Sequence, residues 1–151
     1  MQLKKNYNVL VRIHIIMVSL VSTNSFSQTQ NDSLQIKETV TKYIESFYLT
    51  QPKNGQESIH PLMAKRTVER FQDGKDYLRG MTSEEMRNVG VVFNKNGRYN
   101  EQSKKEITIL DMMDKTASVK LVAEGWVDYI HLGKFNDQWK IVNVLWQWEE
   151  N

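Results

Sequence analysis

An α+β fold, with helices packed on an antiparallel sheet, is what the sequence predicts, and three observations carry it. Ile36, Val40, Tyr43, Ile44 and Phe47 recur at three- and four-residue spacings, a helical stripe. From Glu101 onward the period changes to alternation, in the runs Glu106–Met112, Thr116–Leu132 and Gln138–Trp148. Helical and strand segments are thus segregated rather than interleaved. The 151 residues, 40% hydrophobic and 25% charged, fit one domain with an ordinary core.

The elements follow in chain order. Asp32, with Gln35 three residues later, reads as an N-cap, opening a helix over Ser33–Leu49. Thr50–Gly55 has loop composition, and a short helical turn is expected over Gln56–Leu62, with His60-Pro61 in or closing it. Lys65–Phe71 alternates as a strand, Gln72–Lys75 has turn chemistry, and Tyr77–Gly80 returns as a second strand. Thr82-Ser83-Glu84-Glu85 is a capping box opening a helix that carries Met86 and Val89. Asn94–Asn100 is a polar loop. Asp114-Lys115 and Asn136-Asp137 are the expected hairpin turns, since Asn and Asp best tolerate positive φ.

Residues 1–27 read as a secretory signal peptide. Lys4 and Lys5 precede a short apolar run, Ile13–Val21, and small residues stand at Ser25 and Ser27. Cleavage there leaves residues 28–151 as the single domain, periplasmic or secreted, with no further attachment to the membrane. The whole chain has 20 Lys+Arg against 18 Asp+Glu. Lys4, Lys5 and Arg12 lie in the leader with no acid, so the 124 residues that remain carry 17 basic groups and a net charge of −1. A nucleic-acid partner, which needs a concentrated positive face, is therefore not expected. With zero cysteines there is no disulfide, thiolate site or cysteine nucleophile.

Pairing the last hairpin around Asn136-Asp137 sets Leu132 opposite Ile141, Ile130 opposite Asn143, Asp128 opposite Leu145 and Trp126 opposite Gln147. That face mixes large apolar groups with Glu124, Asp128, Asn143 and Gln147, and is expected to line a ligand pocket roofed by the first helix. The alternative is that the two acids sit at strand ends in solvent. The other face gathers Val127, Tyr129, His131, Val142, Val144, Trp146 and Trp148. No helix remains to cover it, which predicts a homodimer through Tyr129, His131, Val144 and Trp146.

The order of Tyr43-Ile44, His60-Pro61, Met81–Glu85, Ile109-Leu110-Asp111, Val127–Leu132 and Trp139–Asn143 resembles the nuclear-transport-factor-2-like superfamily, in its putative lumazine-binding branch. The resemblance spans most of residues 32–146 and implies a curved sheet wrapped on a helix to form a cone. The usual Asp-Gly before the last-strand Trp is Asn136-Asp137 here. Superfamily members include isomerases, dehydratases and cyclases beside pure binding modules, so the fold leaves activity open.

The expected function is an exported domain that binds a small planar or apolar molecule, through Tyr43, Phe47, Trp126, Asp128 and Asn143. Two alternatives stand beside it. One is an isomerase or cyclase with Asp128 as base, its pKa raised in an apolar pocket; the other is a structural homodimerisation module. No cofactor is expected. With only His60 and His131 past the leader and no paired-ligand spacing, no metal is expected either.

Overall fold

The structure, a computed structural model, describes residues 28–149. The chain divides into two units, Met1–Leu34 and Gln35–Asn151. The signal peptide expected over residues 1–27 lies outside the described residues. Helix α1 covers residues 28–48. It is already formed at residue 28, so Asp32 lies within it and does not cap it; its carboxylate accepts from Gln28 Nε2 at 3.2 Å, one turn back. Gln28-Thr29-Gln30 contains no glycine or proline to stop a helix ahead of Asp32. Among the described residues no helix is long and apolar enough to cross a membrane.

In the second unit the remaining elements are α2 (Pro52–Ser58), β1 (Ile59–Arg70), β2 (Asp76–Thr82), α3 (Ser83–Val92), β3 (Lys105–Met112), β4 (Thr116–Ala123), β5 (Trp126–Phe135) and β6 (Gln138–Trp148). Helix α2 starts within the stretch expected to be loop, because Pro52 occupies the first helical position, where its fixed φ is an advantage. His60-Pro61 therefore belongs to β1. Helix α3 has the expected cap: Glu85 N–H donates to Thr82 Oγ1, and Thr82 N–H donates to the Glu85 carboxylate.

The strands form one six-stranded sheet in the order β2-β1-β6-β5-β4-β3. All neighbours are antiparallel except β1 and β6, which are parallel, so the sheet is mixed. The expected single run Thr116–Leu132 is two strands. Gly125, at φ 94°, turns the chain back between β4 and β5, a conformation open to glycine at no steric cost. The β5–β6 hairpin turns at Asn136 (φ 48°) and Asp137 (φ 60°), as their tolerance of positive φ predicted.

The register corrects the expected faces. Leu132 does pair with Ile141, but His131 pairs with Asn143, so Val142 is an extra residue on β6, a β-bulge. Beyond it every partner moves by one: Ile130 faces Val144, Asp128 faces Trp146 and Trp126 faces Trp148. A one-residue shift exchanges faces. Val144 and Trp146, expected outside, are therefore buried on the inner face. Asn143, expected in the pocket, points outward with His131: its Nδ2 lies 3.2 Å from His131 Nδ1, and Arg66 Nη1 donates to its Oδ1 at 2.9 Å. Glu124 also leaves the pocket set, accepting from Lys104 N–H at the β4–β5 turn.

The core lies between the inner face and α1. Ile36, Val40, Tyr43 and Ile44 of the helical stripe are fully buried, as are Val119, Leu121, Ile141 and Val144 of the sheet. Each contributes roughly 1.5–3 kcal/mol of apolar burial.

Candidate functional site

Two elements set the floor of the site. Lys65 stands on β1 opposite Val144, and Asp128 stands on β5 opposite Trp146, so β6 runs between them. Two strand spacings put their strands about 10 Å apart across the sheet, and the residues are offset by two positions along it. The four-carbon lysine stem spans that gap: Lys65 Nζ lies 2.8 Å from Asp128 Oδ1, with Lys65 only 8% exposed and Asp128 fully buried.

Helix α1 closes the cluster from above. Tyr43 Oη donates to Asp128 Oδ2 at 3.1 Å and accepts from Lys65 Nζ at 2.9 Å. Trp126 Nε1, two residues before Asp128 and hence on the same face, donates to Oδ2 at 3.4 Å. Burial, and then the Asp128 charge, push the Tyr43 phenol well above its usual range, so it stays protonated and keeps its donor role. Among the described residues every buried side-chain nitrogen and oxygen has a partner. A buried ion pair is tolerable on that condition.

Beside the cluster opens a cleft of about 160 Å³. Phe47 of α1, one turn after Tyr43, and Trp126 form one wall, and Met86, Val89 and Phe93 of α3 and its end form another. Trp146 and Trp148 of β6 and Met81 of β2 complete an almost wholly apolar lining, with Lys65 and Arg79 as its charged groups. The rings meet edge to face: Tyr43–Phe47 at 5.3 Å, Trp126–Phe93 at 5.8 Å and Trp146–Trp148 at 4.9 Å between centroids. Trp146 also takes both cations near its ring, Lys65 Nζ at 5.2 Å and the Arg79 guanidinium at 5.8 Å.

Of the five expected ligand contacts, Phe47 and Trp126 line the cleft. Tyr43 and Asp128 lie just behind it, fully buried and in contact with Lys65. Asn143 is on the opposite face of the sheet. Lys65, Arg79, Trp146 and Trp148 were not foreseen here. Lys65 opens the strand expected over Lys65–Phe71, and in the longer observed β1 it shares the inward parity of Met63 and Thr67. Among the described residues no three His, Cys, Asp or Glu side chains gather as a metal site would require.

The sequence profile of a family described as "Putative lumazine-binding" matches residues 31–147. Solved structures are similar in fold. An NTF-2 like protein of unknown function from Silicibacter pomeroyi superposes with a TM-score of 0.60 at 9% identity, over 80% of this chain and 98% of its own. One from Methylobacillus flagellatus gives 0.61 at 16%, over 80% and 94%. A putative dehydratase of the NTF2-like family from Streptomyces avermitilis gives 0.56 at 13%, over 82% and 99%. At such identities the likeness concerns the fold alone. No curated protein matches the chain.

Proposed function

The chain belongs to the putative lumazine-binding family of NTF2-like proteins, and from that premise we propose that it is an exported binding domain for a small planar or apolar molecule, held in the aromatic cleft and not turned over. The observation that carries this reading is the cleft itself. Its volume of about 160 Å³ accepts a single ring with a short substituent, since an apolar cavity near 150 Å³ holds benzene. Its walls are three indoles, two phenyl rings and the α3 side chains, and its two charged groups both lie near the Trp146 ring.

The isomerase alternative has less support. Asp128, its candidate base, has Oδ1 on Lys65 and Oδ2 on Tyr43 and Trp126, and it has no exposed surface. A base must reach the substrate proton. Here Lys65 stands between the carboxylate and the cleft.

Fluorescence titration tests the binding reading, because three of the four tryptophans line the cleft. A single-ring apolar probe should shift their emission, and Val89→Trp, which fills the cleft, should abolish the response. An unchanged response in Val89→Trp would sink the proposal. Mass spectrometry of the protein isolated under native conditions would then identify any resident compound.

A second surface supports self-association, the outer face the sequence suggested, with part of its membership changed. Tyr129 and Leu145 are exposed there, beside Val68 and Leu78. Bulge geometry replaces Val144 and Trp146 in that patch with Leu145. A second copy packed sheet to sheet would cover it.

A further inference from the structure

We propose that the cleft selects small apolar carboxylic acids, with the ring among the indoles and the carboxylate at Lys65 and Arg79. This inference deepens the binding reading above and rests on it.

The argument is a count of donors and acceptors. A lysine ammonium has three N–H groups and no acceptor. Lys65 engages two of them, with Asp128 Oδ1 and Tyr43 Oη, and it lines the cleft, leaving one for a ligand. Arg79 has five N–H groups, and among the described residues its one ion pair is from Nη2 to Glu69 at 3.1 Å. Every other polar side-chain atom on the lining is an indole N–H or a thioether sulfur, and Trp126 Nε1 already donates to Asp128. Side chains of the cleft thus offer donors and no strong acceptor. An amine or ammonium ligand would enter with its own N–H groups unmatched by any side-chain acceptor of the lining and would meet two like charges. A carboxylate would match both cations.

Charge points the same way. Lys65 and Arg79 are each balanced by an acid, but Asp128 and Glu69 sit behind them and do not line the cleft. A ligand there meets the positive ends first. Both cations lie against one ring, Trp146, so a single carboxylate can approach either while its apolar body stays among the aromatics.

The test compares three molecules of one shape, by calorimetry at pH 7.5: 3-phenylpropionate, 3-phenylpropan-1-ol and 3-phenylpropylamine. The acid should bind about tenfold more tightly than the alcohol, as one charge-assisted hydrogen bond provides, and the amine most weakly. Raising salt should weaken the acid and leave the alcohol where it is. Arg79→Gln should bring the acid-to-alcohol ratio toward one. So should the paired change Lys65→Met with Asp128→Asn, made together so that no charge is buried alone. If the alcohol binds and the acid binds no better, acid selection is refuted while the cleft remains a binding site. If none of the three binds, the cleft reading fails as well.

Discussion

The most exacting prediction concerns the Lys65–Asp128 pair, taken apart one side at a time. At 2.8 Å the direct attraction is about 6 kcal/mol at an effective dielectric constant of 20. Most of it offsets the desolvation of two ions that are 8% and 0% exposed. The pair is therefore worth little against an apolar replacement, and a great deal against its own half. Lys65→Met leaves the Asp128 carboxylate with only Tyr43 Oη and a 3.4 Å contact from Trp126. Asp128→Leu leaves the ammonium with Tyr43 Oη alone. Each single change should cost about 3–5 kcal/mol. The double variant should lie within about 2 kcal/mol of the parent, a coupling of at least about 4 kcal/mol. Urea unfolding followed by tryptophan emission measures all four corners of the cycle. Strict additivity, with the double variant losing the sum of the singles, would refute the argument that one buried pair holds this site.

Tyr43→Phe removes one acceptor from Lys65 and one donor from Asp128, so it should destabilise by about 1–3 kcal/mol without changing the fold; a loss below 0.5 kcal/mol in the same urea assay would count against the network. Alkaline stability follows from the two fully buried phenols, because burial pushes Tyr43 well above 10 and Tyr48 up to about 12. The folded state holds both protons more tightly than the unfolded chain, so their contribution is whole below pH 10 and is lost as pH rises through the folded values. The expected slope is about 1.4 kcal/mol per pH unit for each tyrosine above pH 10, and melting temperatures that stay level from pH 9 to 11.5 would contradict it. Leu145→Arg, on the exposed outer face, should convert a dimer to a monomer in light scattering while leaving the melting temperature of the monomer near that of the parent; a parent that is monomeric at micromolar concentration overturns the self-association proposal. N-terminal sequencing of the exported chain should start at Gln28, and a retained Met1 would overturn the leader reading.

Much of this arrangement was legible in the sequence. The Thr82/Glu85 capping box, the Asn136-Asp137 turn and the strand character of the stretch from β3 to β6 all report local chemistry, although the break at Gly125 was read through as one run. Trp126 and Asp128 were placed on the inner face because their parity depends only on an unbroken segment, and Tyr43 and Phe47 on the helical stripe that covers it because its spacing is local. The bulge was not legible. Ile141-Val142-Asn143-Val144 is almost uniformly β-branched, so nothing in it marks Val142 as the residue without a partner. That single insertion carried Trp146 and Trp148 into the cleft wall and Asn143 out of it. Lys65 was missed for a different reason. A lysine in an alternating run reads as surface until the parallel β1–β6 contact, which joins residues 65 and 144, puts it across β6 from Asp128.

That contact also explains why a costly ion pair belongs where it is. The β1–β6 ladder breaks after Ile59↔Ile141 and resumes at Ala64↔Asn143, so its register on the far side of the break is not propagated from the near side. Lys65↔Val144 is the first inward pair after it resumes. If β1 resumed one residue out of step, Lys65 would turn to the outer face and Asp128 would be left buried without its cation. By the figures for the single variants that slip costs about 3–5 kcal/mol, more than turning Ala64 or Arg66 inward in its place would return by packing. An apolar residue at position 65 would pack nearly as well and impose no such penalty. A pair so placed favours the observed register between the β1–β2 hairpin and the β3–β6 meander, the one in which Arg79 and Met81 of β2 line the same cleft as Trp126 and Trp146.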